Sequence, residues 1–134
     1  MKATPGAARG AGAGAKVLVI DDDATFGRLI QRRLSNSGYA ADYRDCPFGA
    51  TTEIARGAYA LVVLDVNMPG LSGPGLVEAL RYGRRPVTAK VLLMSSADDD
   101  VLRRIAEHCQ ADGFVGKGAA WSEVLSCVRA ILAK

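Results

Sequence analysis

Five short apolar runs, each separated from the next by a longer amphipathic stretch, constrain this sequence more than any other feature. The runs are Val17-Leu18-Val19-Ile20, a weaker one over Tyr39 to Arg44, Ala60-Leu61-Val62-Val63-Leu64, Val91-Leu92-Leu93-Met94, and Phe114-Val115. Each is too short and too rich in strand-forming residues to be a helix of its own. The stretches between them carry helical spacing. Phe26, Leu29, Ile30 and Leu34 share one face of a helix over about Ala24 to Ser37, with Gly38 at its stop. A second helix is expected over Pro47 to Gly57, with proline in its first turn, and a third from Gly73 to Tyr82 after the loop Asn67-Met68-Pro69-Gly70. Asp98-Asp99-Asp100 opens a fourth, where carboxylates suit free amides and the positive helix end. Trp121, Val124, Leu125, Val128, Ile131 and Leu132 mark the fifth. Strands separated by helices pair in parallel through right-handed crossovers, which predicts an α/β fold with a doubly wound sheet covered on both faces.

A chain of 134 residues can bury one such core and is too short for two ordinary domains. Its 49% hydrophobic and 23% charged residues suit a globular protein and not a disordered one. Residues 1–15, Ala- and Gly-rich, read as a flexible tail, and 16–134 as the domain. The tail holds Lys2 and Arg9 and no acid, so the domain has 15 basic against 14 acidic residues. That balance argues against charge-driven DNA binding by this domain. Cys46, Cys109 and Cys127 are odd in number and widely spaced, without C-x-x-C, so neither a disulfide framework nor a zinc site is indicated, and a reducing, cytoplasmic setting is expected. No apolar stretch is long enough to span a membrane, and the tail lacks the apolar segment of a secretory signal.

Parallel doubly wound sheets bind ligands beyond the carboxyl ends of their strands. The residues just past the strands are Asp21 and Asp22, Asp65, Ser95 and Lys117. Three carboxylates at close quarters repel and raise one another's pKa unless a cation offsets them. Mg²⁺ fits: it takes oxygen ligands, using one or two carboxylates together with a phosphate oxygen. An aspartate can then act as nucleophile toward a phosphoryl group, with a lysine neutralising the transferring oxygens and a serine donating to the product.

Four segments carry a family resemblance: Lys16-Val-Leu-Val-Ile-Asp21-Asp22-Asp23, Leu61-Val-Val-Leu-Asp65-Val-Asn67-Met68-Pro69-Gly70, Val91-Leu-Leu-Met-Ser95-Ser96 and Gly113-Phe114-Val-Gly-Lys117. In order and spacing they resemble the signature segments of response-regulator receiver domains of two-component signalling, over about residues 16 to 133. The resemblance implies a flavodoxin-like sheet of order 2-1-3-4-5 with five helices. It implies Asp65 as phosphoacceptor, Asp22 as a direct Mg²⁺ ligand, Asp21 as an acidic partner acting through water, and Asn67 as a ligand through its backbone carbonyl. It further implies Ser95 as the switch hydroxyl, Phe114 as the switch aromatic and Lys117 as the phosphate-pairing lysine. The implied donor is a sensor histidine kinase or histidine phosphotransfer protein. The implied output is a change in the face of helix 4, strand 5 and helix 5, controlling an unknown protein partner, with the domain a monomer or a phosphorylation-dependent homodimer. Such a protein is a phosphoacceptor and not an enzyme in the usual sense. Two positions depart from the family pattern: Gly118 stands where many receivers have proline, and Ser96 where a small apolar residue is usual.

Other readings stay open at this point. Asp21-Asp22-Asp23-Ala24-Thr25 is similar to the Asp-x-Asp-x-Thr opening of haloacid-dehalogenase-like phosphatases, which would make Asp21 the nucleophile. That leaves the Asp65-Val-Asn-Met-Pro-Gly segment unexplained. A receiver-like binding module that is never phosphorylated is the other. Phe114 reads equally as a core aromatic on a short strand. His108 reads as a surface or packing residue, and Trp121 as part of an apolar helical stripe. The absence of a helix-turn-helix segment before Lys134 points to a protein output.

Overall fold

All five apolar runs form strands of one parallel sheet. The computed structural model describes residues 14–67, 73–82 and 88–134. Strands β1 (Lys16–Ile20), β2 (Ala40–Arg44), β3 (Leu61–Asp65), β4 (Lys90–Ser95) and β5 (Gly113–Gly116) lie in the order β2-β1-β3-β4-β5. Five helices connect and follow them: α1 (Ala24–Asn36), α2 (Ala50–Gly57), α3 (Gly73–Tyr82), α4 (Asp99–Cys109) and α5 (Trp121–Leu132). The central strand β3 is buried along its whole length, as expected for a strand covered on both faces.

Alternation along the strands divides the apolar side chains between two cores. Leu18, Ile20, Val62, Leu64, Val91 and Leu93 face α2, α3 and α4, where Ile54, Leu76, Leu80 and Leu102 are fully buried. Val17, Val19, Leu61, Val63, Leu92 and Met94 face α1 and α5, against Ile30, Leu34, Val124, Val128 and Ile131. At the amino end of the sheet, Arg81 of α3 donates to the carbonyl of Ala89 and to Asp112, whose carboxylate also accepts from the Val91 amide, tying α3 to β4 and β5.

Several local expectations are corrected. Pro47 is not in the first turn of α2, which starts at Ala50. The Arg44 guanidinium donates to the carbonyls of Cys46 and Phe48, and Gly49 turns into the left-handed region at φ 79°, so the chain makes a separate turn before the helix. Leu29 is 37% exposed. At about 100° per residue it lies well round the helix from the buried Gly27, Ile30 and Leu34 stripe. Gly14 and Ala15, read as tail, are bonded in: Gly14 donates to the Gly38 carbonyl, and Ala15 accepts from Ala40. The rest of the tail, residues 1–13, and the loop residues Met68, Pro69 and Gly70 lie outside the described residues. Among the described residues no peptide bond is cis, and Gly118 is not in the left-handed region.

Candidate functional site

Parallel pairing brings the carboxyl ends of the strands to one edge, and the register fixes what meets there. Ile20 pairs Leu64, Asp65 pairs Met94, and Ser95 pairs Gly116. Asp21 and Asp65 therefore emerge level with each other on neighbouring strands, with Ser95 one step further and Lys117 just beyond β5. Asp65 and Ser95 are the last residues of their strands and not the first beyond them, because β3 and β4 stay paired to their ends.

Asp21 is 3% exposed and fully engaged. Its Oδ1 accepts from the Asp23 amide at 2.8 Å, and its Oδ2 lies 2.9 Å from Lys117 Nζ. Asp65, 6% exposed, is held more loosely, at 3.4 Å from the Asn67 amide and 3.6 Å from Lys117 Nζ. Asp22 is exposed, and its carboxylate joins those of Asp21 and Asp65 so that one oxygen from each lies within 4.8 Å of the others. Among the described residues this is the one acidic group able to share a cation, and its hard oxygen donors fit Mg²⁺. Asn67 is exposed at the mouth of this cluster.

Electrostatics follow from that crowding. Burial, reinforced by the negative charge of Asp21, pushes the Asp65 carboxyl up to about 6, although Lys117 and the Asn67 amide pull the other way. Burial alone would lower Lys117, but its hydrogen bond to Asp21 and the charges of Asp21 and Asp65 outweigh that and hold the ammonium above its ordinary value. Lys117 Nζ also sits 4.8 Å from the centroid of the Phe26 ring.

Ser95 is 1% exposed. Its Oγ accepts from the Ala97 amide at 3.0 Å and its carbonyl from the Lys117 amide at 2.9 Å, so the loops after β4 and β5 are joined at this residue. A cleft of about 420 Å³, lined by Ser95, Ser96, Lys117 and Glu123 among others, opens beside them. Phe114 lies apart from the acidic cluster, half-buried against the α2–α4 core, with the Arg103 guanidinium 5.9 Å from its ring centroid. His108 is exposed, and Trp121 is half-buried beside α1, with Arg33 5.7 Å from its ring centroid.

Two contributors escaped the sequence reading. Phe26, assigned only to a helix face, lies beneath the Lys117 ammonium. Tyr43 of β2 donates its hydroxyl to the Asp21 carbonyl at 2.6 Å. Burial, with the Asp45 and Asp21 carboxylates, holds this phenol above its ordinary pKa. Neither residue stands at a strand end, so spacing gave no signal for them.

No helix among the described residues is long and apolar enough to cross a membrane. Residues 17–129 match the family described as response regulator receiver domain. Response regulator MprA of Mycobacterium leprae is 32% identical over 118 residues, covering 87% of this chain and 50% of that protein. The chain spans about half the length of the curated relatives it matches. The BeF3-activated N-terminal receiver domain of Klebsiella pneumoniae RstA superposes with a TM-score of 0.80 at 26% identity, covering 89% of this chain and 99% of that one. The signal receiver domain of Mycobacterium tuberculosis NarL does so at 0.77 and 27%, covering 88% and 95%. Fold, order of motifs and these matches converge: the chain belongs to the response regulator receiver domain family of two-component systems.

Proposed function

We propose that this domain accepts a phosphoryl group on Asp65 from a phosphohistidine of a sensor kinase or histidine phosphotransfer protein, with Mg²⁺ bound at the acidic cluster. The observation that carries the reading is the contrast between the two buried aspartates. Both oxygens of Asp21 are engaged at short distance, by the Asp23 amide and Lys117, whereas the contacts Asp65 makes with Asn67 and Lys117 are longer. A carboxylate with weakly held oxygens is the better nucleophile, and this disfavours Asp21 as the acceptor in a haloacid-dehalogenase-like phosphatase.

In the transfer, an Asp65 oxygen forms a bond to phosphorus while the phosphorus–nitrogen bond of the donor breaks and the imidazole leaves, taking a proton from solvent. Asp22, Asp65 and the Asn67 carbonyl would hold Mg²⁺ directly and Asp21 through water. When bound, the ion offsets the carboxylate charges and those on the phosphoryl oxygens. Lys117 is already between Asp21 and Asp65 and needs only a short excursion to reach the new phosphoryl group. Ser95 would exchange its contact with the Ala97 amide for a bond donated to the phosphate. That exchange biases the loops after β3 and β4 and the α4–β5–α5 face, including Phe114, toward a state with different affinity for an output protein or a second copy.

Intact mass after incubation with acetyl phosphate and Mg²⁺ tests the reading. Wild type is expected to gain about 80 Da in a base-labile adduct, and Asp65→Asn to gain none. An adduct that persists in Asp65→Asn and disappears in Asp21→Asn would transfer the role to Asp21. No adduct in wild type would leave a module that works by contact alone.

A further inference from the structure

The acidic turn is tied to the edge strand β2 by its backbone, where the Asp21 amide donates to the Arg44 carbonyl at 3.2 Å, and by one side chain. Tyr43, on the edge strand β2, donates its hydroxyl to the backbone carbonyl of Asp21 at 2.6 Å. That carbonyl belongs to the planar peptide unit joining Asp21 to Asp22, so fixing it restrains ψ of Asp21 and φ of Asp22 together. The ring has space made for it. A Cβ at Gly27 of α1 would lie 2.2 Å from Tyr43 Cε1 and 2.9 Å from Cδ1. Gly27 has no positive φ, so this glycine answers to the ring's volume and not to a backbone need. The Arg28 guanidinium lies over the ring at 5.3 Å from its centroid. Elements β2, the β1–α1 turn and α1 thus converge on one phenol.

We infer that Tyr43 is a positioning residue for the acidic turn: its hydroxyl holds the Asp21–Asp22 peptide so that the exposed Asp22 carboxylate is presented to Asp65, and it thereby sets affinity for a divalent cation. The inference rests on the reading that this cluster binds Mg²⁺. Without the phenol, the Asp21 carbonyl is left to water and the turn samples orientations in which the carboxylates diverge. The ion must then reassemble its ligands, which weakens binding while leaving the sheet intact.

The test is a Mg²⁺ titration of wild type, Tyr43→Phe, Gly27→Ala and Tyr59→Phe, with Kd read from the amide shifts of Asp22 and Asp23 and with a thermal melt of each. Tyr59→Phe is the control: it removes a comparable hydroxyl contact, to Asp42 Oδ2 at 2.5 Å, that touches nothing in the acidic turn. Tyr43→Phe is expected to raise Kd about tenfold, with phosphorylation recovering toward the wild-type rate at saturating Mg²⁺. Gly27→Ala, which keeps the hydroxyl but displaces the ring, should move Kd in the same direction. Tyr59→Phe should melt lower and bind as wild type does. A Tyr43→Phe Kd equal to that of wild type, or an equal loss in Tyr59→Phe, would overturn the inference. Absence of saturable binding in wild type is a separate result, which would overturn the magnesium reading itself and this inference with it.

Discussion

Asp65 stands in a position that costs the fold stability when no cation is bound. Its carboxyl is raised from 3.8 to about 6, first by burial and then by the charge of Asp21. A raised pKa means that the folded state holds this proton more tightly than the unfolded chain does. The resulting contribution to stability is therefore fully present below about pH 3.8 and is lost as pH rises through about 6. At pH 7.5 without Mg²⁺, Asp65→Asn should be more stable than wild type by about 3 kcal/mol, since it removes the buried charge while Lys117 keeps its 2.9 Å contact with Asp21. Urea denaturation of both proteins at pH 7.5 and at pH 4.5 checks this. The gap should narrow at the lower pH, and equal stability at pH 7.5 would show that Asp65 is not strained. The principal acids and Lys117 were legible in the sequence because a residue at a strand end has its place set by the strand. Tyr43 was not, because a tyrosine within a half-buried edge strand looks the same whether its hydroxyl meets water or the Asp21 carbonyl.

The helix over 50–57 shows where element boundaries depend on contacts that spacing does not record. The expected end at Gly57 holds, but Pro47 does not open the helix. The start of α2 is set by Arg44 gripping the carbonyls ahead of it. At the other end Gly57 is still helical, and Ala58 takes the left-handed position at φ 54°, ψ 44°. A glycine would have been expected in that position and alanine in the helix. The reversal is explained by Tyr59, whose ring covers Gly57 so closely that a Cβ there would lie 2.4 Å from Cε2. Two substitutions with opposite signs follow. Ala58→Gly should stabilise the domain by roughly 0.5 to 1 kcal/mol by relieving the left-handed alanine. Gly57→Ala, in spite of its better helix propensity, should destabilise it by about 1 to 3 kcal/mol through overpacking. Chemical denaturation of the two variants distinguishes this account from one based on propensity, which predicts the reverse order.

At the scale of the whole molecule, the architecture was readable because alternating apolar runs and amphipathic stretches leave a parallel sheet few alternatives. The division of its core into two layers follows from strand alternation alone. The same topology that buries β3 also carries Asp65 to the rim beside Asp21, so the acidic cluster and the central core are joined through one strand. A cation bound at the rim should therefore register in the global unfolding of the domain. If Mg²⁺ binds at the cluster, a concentration ten times its Kd should add about 1.4 kcal/mol to stability. For a domain of this size that corresponds to a rise in Tm of about 3 to 5 °C. The rise should be largely lost in Asp22→Asn, which keeps the buried pair but removes the exposed ligand. It should persist in Asp98→Asn, an exposed acid that caps α4 by accepting from the Val101 amide. NaCl at matched ionic strength separates site binding from general screening. An equal rise with NaCl, or an undiminished rise in Asp22→Asn, would mean that the cluster does not hold the ion.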